Sequence, residues 1–398
     1  MKFLTLDDIE FAHKTALVRV DLNVPVKDRK VSDDSRIQSL LPTISYLLSK
    51  KTKIVLMSHF GRPSGPDASL SLKFLLPDLE KAFDFKVDFI AECIGDAVKK
   101  SLKEAPYPSI TLLENLRFYE GEEKNDPLFS KDLADLADIY VNDAFSCSHR
   151  AHASVVGITK YLPSVAGRSL QSELVHLEQC LATPKHPLVA IVAGSKISTK
   201  LELLENLYQK VDTLIIGGAM ANTMLAAKGL DVGQSLYEPN LLDIARKILK
   251  NTTATIILPE DVVISDELSE TASTQIVNVH DIPKDKKAFD IGPKTVKKIK
   301  DTLKNAKTVV WNGPVGAFEF APFAEASISI AKTLADLTQQ NQCMSVAGGG
   351  DTLAVLALAG VKDKLSYVST AGGAFLEWLE GKTLPGVEAL EQNGLPLL

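Results

Sequence analysis

Short runs of apolar, largely β-branched residues recur along the chain, spaced so that a helix fits between most neighbours. In the first half they are TALVRV (15–20), KIVLMS (53–58), KVDFIA (86–91), SITLLEN (109–115) and DIYVND (138–143). In the second they are PLVAIVA (187–193), DTLIIGG (212–218), TIILPEDVV (255–263), KTVVWNG (307–313), QCMSVAG (342–348) and KLSYVST (364–370). Their apolar residues are nearly continuous rather than alternating, as expected of strands buried on both faces. Strands interleaved with helical patterns predict βαβ units and parallel sheets. Between the two groups, SLQSELVHLEQCLA (169–182) repeats Leu170, Leu174, Leu177 and Leu181 at helical spacing and is followed by TPKHP (183–187). The hinge between two halves is placed there. The apolar end NGLPLL (393–398) is expected to dock on a domain.

Length agrees with this division, since 398 residues exceed what one hydrophobic core usually supports. With 45% hydrophobic and 24% charged residues the chain has the composition of an ordinary globular protein, and no run reaches the length of a membrane span. MKFLTLDDIE lacks the layout of a secretory signal, so a cytoplasmic location is expected. Cys93, Cys147, Cys180 and Cys343 have no paired spacing and read as free thiols. A net charge of −6 argues against binding nucleic acid or anionic membrane through bulk charge. Any anion site must therefore be local.

Ligands of open α/β sheets sit beyond the carboxyl ends of the strands, so the residues that follow each run carry the candidate chemistry. After the first come Asp21, Leu22, Asn23 and, at the start of a predicted helix with Ile37, Leu40, Leu41 and Ile44 on its apolar face, Arg36. An arginine there opposes the helix dipole unless a negative group lies nearby; a surface pairing with Asp33 or Asp34 and an anionic ligand are both open. The second run ends in Ser58-His59-Phe60-Gly61-Arg62-Pro63, the fourth leads to Arg117, and the fifth to His149 and Arg150. Four arginines and two histidines on one rim of an acidic protein suggest a bowl for a phosphorylated small molecule, because the guanidinium fork binds phosphate or carboxylate in a bidentate way. Cys147, His149 and His152 could supply three zinc ligands, but Arg150 would stand beside a dication and no fourth ligand is evident.

In the second half, GSKISTK (194–200) joins a strand to a predicted helix whose first turn would carry Lys196 and Lys200 on one side, suited to a polyphosphate; solvated lysines are the bland alternative. AGGGDT (347–352) lets backbone N–H groups approach a phosphate, with Asp351 either a Mg²⁺ ligand or a helix cap. Ser369 to Gly373 forms another glycine turn, and WNGPVGAFE (311–319) adds a loop with Glu319 available for a ribose or a metal-bound water. The dinucleotide fingerprint fails at Leu353, where a third glycine is needed, and the P-loop fails at Leu376. The protein-kinase loop sequences are absent.

With these residues in place, the chain resembles phosphoglycerate kinase over essentially its whole length. The matching motifs are RVDLNVP (19–25), SHFGRP (58–63), LLENLRF (112–118), HRAHAS (149–154), GSKISTK (194–200), DIGPKT (290–295), WNGPVGAFE (311–319), AGGGDT (347–352) and STAGGAFLEWLEGK (369–382). The resemblance implies an α/β enzyme of two doubly wound, Rossmann-like parallel-sheet domains, three-layer α/β/α, joined by a hinge helix. A triose-binding domain would span 1–170 with the tail 385–398 packing back on it, an interdomain helix and hinge 171–187, and a nucleotide-binding domain 188–384. It implies reversible transfer of the acyl phosphate of 1,3-bisphosphoglycerate to Mg-ADP, giving 3-phosphoglycerate and ATP, by a cytoplasmic monomer without nucleic-acid or membrane partners. Position by position, Asp21, Leu22, Asn23, Arg36, His59, Phe60, Gly61, Arg62, Arg117 and Arg150 would hold the triose. Lys196, Lys200, Gly218, Asn312, Glu319, Gly349, Gly350, Asp351 and Thr352 would hold nucleotide, with Asp351 on Mg²⁺. Arg36, Lys196, Lys200, Gly350 and Gly373 would serve the transferring phosphoryl group. The chain departs from the family at Ala371, often a glycine, and at Ser146-Cys147-Ser148, often Gly-Thr-Ala. A non-catalytic nucleotide-binding scaffold on the same fold would have little reason to keep both lysines and all the arginines, and a nicotinamide-dependent oxidoreductase would need the missing fingerprint.

Overall fold

The computed structural model describes residues 3–394, so the last four residues of the 385–398 tail lie outside the described residues. The chain divides into two compact units, Met1–Leu174 with Thr383–Leu398, and Val175–Lys382. The helix Arg168–Leu181 passes from the first to the second.

The first unit is built on a six-stranded sheet of β1 (Thr15–Val20), β2 (Lys53–Met57), β3 (Val87–Ile90), β4 (Ser109–Leu113), β5 (Ile139–Asp143) and β6 (Ser164–Ala166). Its order is β3-β4-β2-β1-β5-β6, with every pair parallel. Successive side chains enter opposite cores: Ala16, Val18 and Val20 pack with Ile54, Leu56 and Ile110, whereas Leu17 packs with Val55, Met57 and Tyr140. Burying one such aliphatic side chain contributes roughly 1.5–3 kcal/mol, so the sheet is held chiefly by burial on its two faces. The helix Pro385–Gly394 lies in the same unit: Asn393 Nδ2 donates to the Thr159 carbonyl at 2.6 Å, and Gly386 N donates to the Ser148 carbonyl at 2.8 Å.

The second unit holds the parallel sheet of β7 (Leu188–Ala193), β8 (Thr213–Gly217), β9 (Thr255–Ile257), β13 (Thr308–Asn312), β14 (Met344–Gly348) and β15 (Tyr367–Ser369), ordered β9-β8-β7-β13-β14-β15. Val189, Ile191, Val309 and Trp311 share one core with Ile299, Ile330 and Val355 from helices, and the alternate residues Ala190, Val192 and Val310 are equally buried. Both sheets are thus covered on two sides, in the doubly wound α/β architecture.

The run 255–263 is not one strand. It breaks at Pro259, which lacks an N–H for a ladder. The chain after it forms β10 (Asp261–Ser265), the middle of an antiparallel sheet with β11 (Gln275–Asn278) and β12 (Lys287–Ile291). Val262 and Ile264 are buried there and pack with Leu225 and Ile282, while Val263 between them is only partly buried. The helix expected to carry Arg36 is likewise two pieces, Ser35–Gln38 and Leu41–Ser49, the second starting with Pro42 in its first turn.

Candidate active site

In the first sheet β1 leads outward to β2 on one side and pairs with β5 on the other, so the crevice beyond β1 and β5 is the switch point of the winding. Asp21 follows β1 there. Its Oδ2 accepts from Arg36 Nη1 at 2.7 Å and from Ser146 Oγ at 2.5 Å, and its Oδ1 accepts from Asn23 N at 3.0 Å. Burial works against the Asp21 charge, but Arg36 and the hydrogen bonds from Ser146 and Asn23 outweigh it and hold the carboxyl below its ordinary pKa. The Arg36 guanidinium in a first helical turn is therefore compensated from within, by Asp21. Asn23 Oδ1 accepts from Gly61 N at 3.0 Å, and Arg117 Nη1 donates to the Gly61 carbonyl. Gly61 has φ +64°, a left-handed conformation that glycine adopts without strain. Asn115 ties the same turn down, donating to the Phe60 carbonyl at 2.8 Å and the Leu70 carbonyl at 2.9 Å.

Asp21, Asn23, Arg36, Gly61 and Arg117 are thus joined by hydrogen bonds. His59 lies behind them, while Arg62 and Arg150 are exposed and Phe60 packs edge-on against Phe74. Leu22 is fully buried, and its N–H is taken by Ser58 Oγ at 2.9 Å. Arg150 Nε donates to His149 Nε2 at 3.2 Å. Beneath the rim lies a network that sequence reasoning did not assign to the site: Arg19, 1% exposed, reaches Ser154 and His59, and Ser154 in turn contacts the buried Glu122. The available signal was a single arginine inside TALVRV, because a charge on a strand buried on both faces requires partners. Burial and then Arg19 push the pKa of His152 down to about 4, so that ring is neutral. Cys147 is buried with its Sγ 3.4 Å from Arg19 Nη2.

In the second sheet the switch point falls between β7 and β13, and the Lys200 ammonium sits there. It donates to the Ala193 carbonyl at 2.6 Å, to Asn312 Oδ1 at 2.5 Å and to the Asn312 carbonyl at 3.3 Å. Asn312 Nδ2 donates to the Gly348 carbonyl at 2.8 Å, and Gly313 N to the buried Thr352 Oγ1 at 2.8 Å. Asn312 therefore uses both ends of its amide to join Lys200 to the glycine turn. Burial lowers the pKa of Lys200 to about 8, with Asp351 opposing that shift. Gly349 has φ +97° and opens the helix Gly350–Leu358, whose first turn holds the exposed Asp351. Gly218 has φ +66°, and a Cβ there would lie 2.6 Å from the Gly194 carbonyl oxygen, so the two loops meet at van der Waals limits.

Lys196 does not share a helical turn with Lys200. The helix begins only at Leu201, Lys200 occupies its N-cap, and Lys196 lies exposed in the preceding turn. Glu319 is also exposed, outside the hydrogen-bonded set. The left-handed φ of the 371–373 turn falls on Gly372, at +54°, and Gly373 starts the helix Gly373–Leu379. Alanine is accommodated at 371 without a left-handed backbone. Of the other departures, Ser146 and Cys147 are built into the contacts of Asp21 and Arg19, and Ser148 is fully buried, its carbonyl accepting from Gly386 N.

The sequence profile of the phosphoglycerate kinase family matches residues 6–382. The chain belongs to the phosphoglycerate kinase family. It is accordingly a nucleotide-binding phosphotransferase of the kinase type. The phosphoglycerate kinase of Sinorhizobium fredii is 53% identical over 398 residues, covering 99% of this chain and all (100%) of that one. That of Rhizobium meliloti is 52% identical with the same coverage of 99% and 100%. The structure of phosphoglycerate kinase from Coxiella burnetii superposes with a TM-score of 0.91 at 40% identity, covering 99% of this chain and 100% of that one. The enzyme from Pyrococcus horikoshii OT3 gives 0.83 at 30% identity, with coverage of 98% and 99%.

Proposed function

We propose that the chain transfers the acyl phosphate of 1,3-bisphosphoglycerate reversibly to Mg-ADP, giving 3-phosphoglycerate and ATP, with the triose on the first unit and the nucleotide on the second. The observation that carries this is Lys200. It is a cation held at a sheet switch point by carbonyl groups alone, forming no ion pair among the described residues. Such a group, beside a glycine turn, is suited to a phosphate. On the first unit Asp21, Leu22, Asn23, His59, Phe60, Gly61, Arg62, Arg117 and Arg150 would hold the triose. On the second, Lys196, Gly218, Asn312, Glu319 and the turn 349–352 would hold nucleotide.

In the ATP-consuming direction the nucleophile is a carboxylate, already ionised near neutral pH, so no general base is needed. Catalysis then rests on alignment and on neutralising the oxygens of the transferring group. Arg36, Lys196, Lys200 and the backbone at Gly350 and Gly373 would provide that neutralisation once the hinge closes, which also keeps out water that would hydrolyse ATP. Leaving Asp21 for substrate costs Arg36 one charged hydrogen bond and returns another.

Mg²⁺ fits the donor set as an ion carried by the nucleotide. Asp351 is the acidic residue of its helical turn, and no group of three or more potential ligands gathers among the described residues. One carboxylate is enough for an ion that keeps its waters and rides on phosphates. Asp351 would hold the ion together with the nucleotide, and the ion would supply positive charge to offset that of the phosphates. On this reading the enzyme works as a cytoplasmic monomer; no helix among the described residues is long and apolar enough to cross a membrane. Turnover of Arg36→Ala and Lys200→Ala tests the assignment: both should fall by two orders of magnitude or more, on the order of the effect of removing a transition-state donor. A near-normal rate in either removes that residue from the site.

A further inference from the structure

His59 follows β2 and is 9% exposed. Its Nδ1 lies 3.0 Å from Arg19 Nη2. A guanidinium carries only N–H groups and is not deprotonated in proteins, so this hydrogen bond has one polarity: Arg19 donates and Nδ1 accepts. The single proton of the imidazole then belongs on Nε2. Among the described residues Nε2 meets no hydrogen-bond partner.

Arg19 is not free to turn away. Its Nε donates to Ser154 Oγ at 2.9 Å, Nη1 donates to the Val20 carbonyl, and Nη2 also reaches Cys147 Sγ at 3.4 Å. Ser154 donates its hydroxyl proton to Glu122 Oε1 at 2.6 Å and its N–H to Oε2 at 2.9 Å, while the Tyr140 hydroxyl donates to the Ser154 carbonyl at 2.8 Å. Every donor direction in this chain is therefore set, from Glu122 through Ser154 and Arg19 to the ring. The charged or titratable groups facing the ring are Arg19 on β1, Asp21 just beyond it, Arg117 in the turn Leu116–Phe118, and His152 in the loop after β5. Burial, followed by Arg19, holds the ring's pKa well below the usual histidine range; Asp21 opposes this, and Arg117 and His152 reinforce it.

We propose that Arg19 is a positioning residue that fixes His59 in the tautomer with its proton on Nε2, so that the ring meets a substrate oxyanion as a hydrogen-bond donor. This rests on the reading of His59 as a triose contact. A ring so fixed presents a donor at every pH where an ordinary histidine would switch charge, and it never offers a lone pair to a carboxylate or phosphate.

The test uses the full chain labelled with ¹⁵N-histidine, its two-bond ¹H–¹⁵N pattern assigned with His59→Gln and followed from pH 5.5 to 9. The unsubstituted protein should show the Nε2–H pattern for His59 throughout, without titration, and Arg19→Lys, which keeps a donor, should retain it. Arg19→Met should give a mixed-tautomer ring that titrates within the range, with KM for 3-phosphoglycerate raised on the order of tenfold, the size of one hydrogen bond to a charged group. An Nδ1–H or doubly protonated ring in the unsubstituted protein overturns the proposal, as does an unchanged pattern in Arg19→Met. Should Arg19→Met fail to fold, the spectrum of the unsubstituted protein still decides. His59→Ala reads the underlying assignment separately: an unchanged KM removes the ring from the substrate site and the inference with it. A raised KM beside an Nδ1–H ring overturns only the role of Arg19.

Discussion

Raising the pH should withdraw the Lys200 charge before any other change in the nucleotide site. Burial brings this ammonium from 10.5 down to about 8. At about 1.36 kcal/mol per pH unit, that displacement corresponds to about 3 kcal/mol against the charged form. In the free enzyme about half of the molecules would be cationic at pH 8 and about a tenth at pH 9, so kcat/KM for the nucleotide should fall about tenfold per unit on the alkaline side. A bound polyphosphate restores the proton, so the limb in kcat should lie at higher pH than the limb in kcat/KM. The assay is initial rate against Mg-ATP concentration at fixed 3-phosphoglycerate, from pH 6 to 10, in buffers of constant ionic strength. Lys200→Arg supplies the control: its guanidinium stays charged, so the alkaline limb should vanish even though the larger fork lowers the peak rate. A flat profile to pH 9.5 in the unsubstituted enzyme, or the same limb in Lys200→Arg, would refute the reasoning. Stability should move the other way. Because the folded pKa is the lower one, the unfolded chain binds more protons between pH 8 and 10.5, and the Lys200 contribution to stability rises across that window.

Three further outcomes follow from local geometry. Gly313 has φ +96°, and a Cβ there would lie 1.9 Å from the Ala193 carbonyl oxygen and 2.8 Å from Lys200 Nζ. Gly313→Ala should therefore lower stability by about 2–4 kcal/mol and weaken nucleotide binding, and an unchanged urea midpoint would contradict this. Glu122→Ala leaves the buried Arg19 without its relayed counter-charge and should cost about 3–5 kcal/mol in denaturant unfolding; a loss below about 1 kcal/mol would show that the relay carries little. Burial pushes the Asp290 carboxyl up to about 8. Since the folded state then holds its proton longer than the unfolded chain, stability should fall as pH rises from 3.8 towards 8, and Asp290→Asn should remove that part of the slope in unfolding free energies.

Most parallel strands were readable because burial on both faces leaves an uninterrupted apolar run, and β1, β5, β7 and β13 lie within the segments so marked; β6, only three residues long, lies in none of them. The antiparallel sheet was not, because β10 follows β9 after only three residues and merges with it in one apolar stretch; Pro259 was the sign of the break. Asp21 and Arg117 were identifiable as charges just beyond strand ends, and Arg36 as an arginine at the start of a predicted helix. Arg19 and Glu122 were not, since one sits within a strand and the other in a run of glutamates that reads as surface, although both are buried. The spacing of Lys196 and Lys200 suggested one helical turn, but the helix starts after Lys200, and local propensity does not set where a packed loop ends.

The most direct measurement of the central claim is a coupled assay of ATP-dependent phosphorylation of 3-phosphoglycerate by the full chain, with Mg²⁺ present and with the metal chelated. Turnover that requires 3-phosphoglycerate, ATP and Mg²⁺ together is the expected result. No product with all three present would contradict the account.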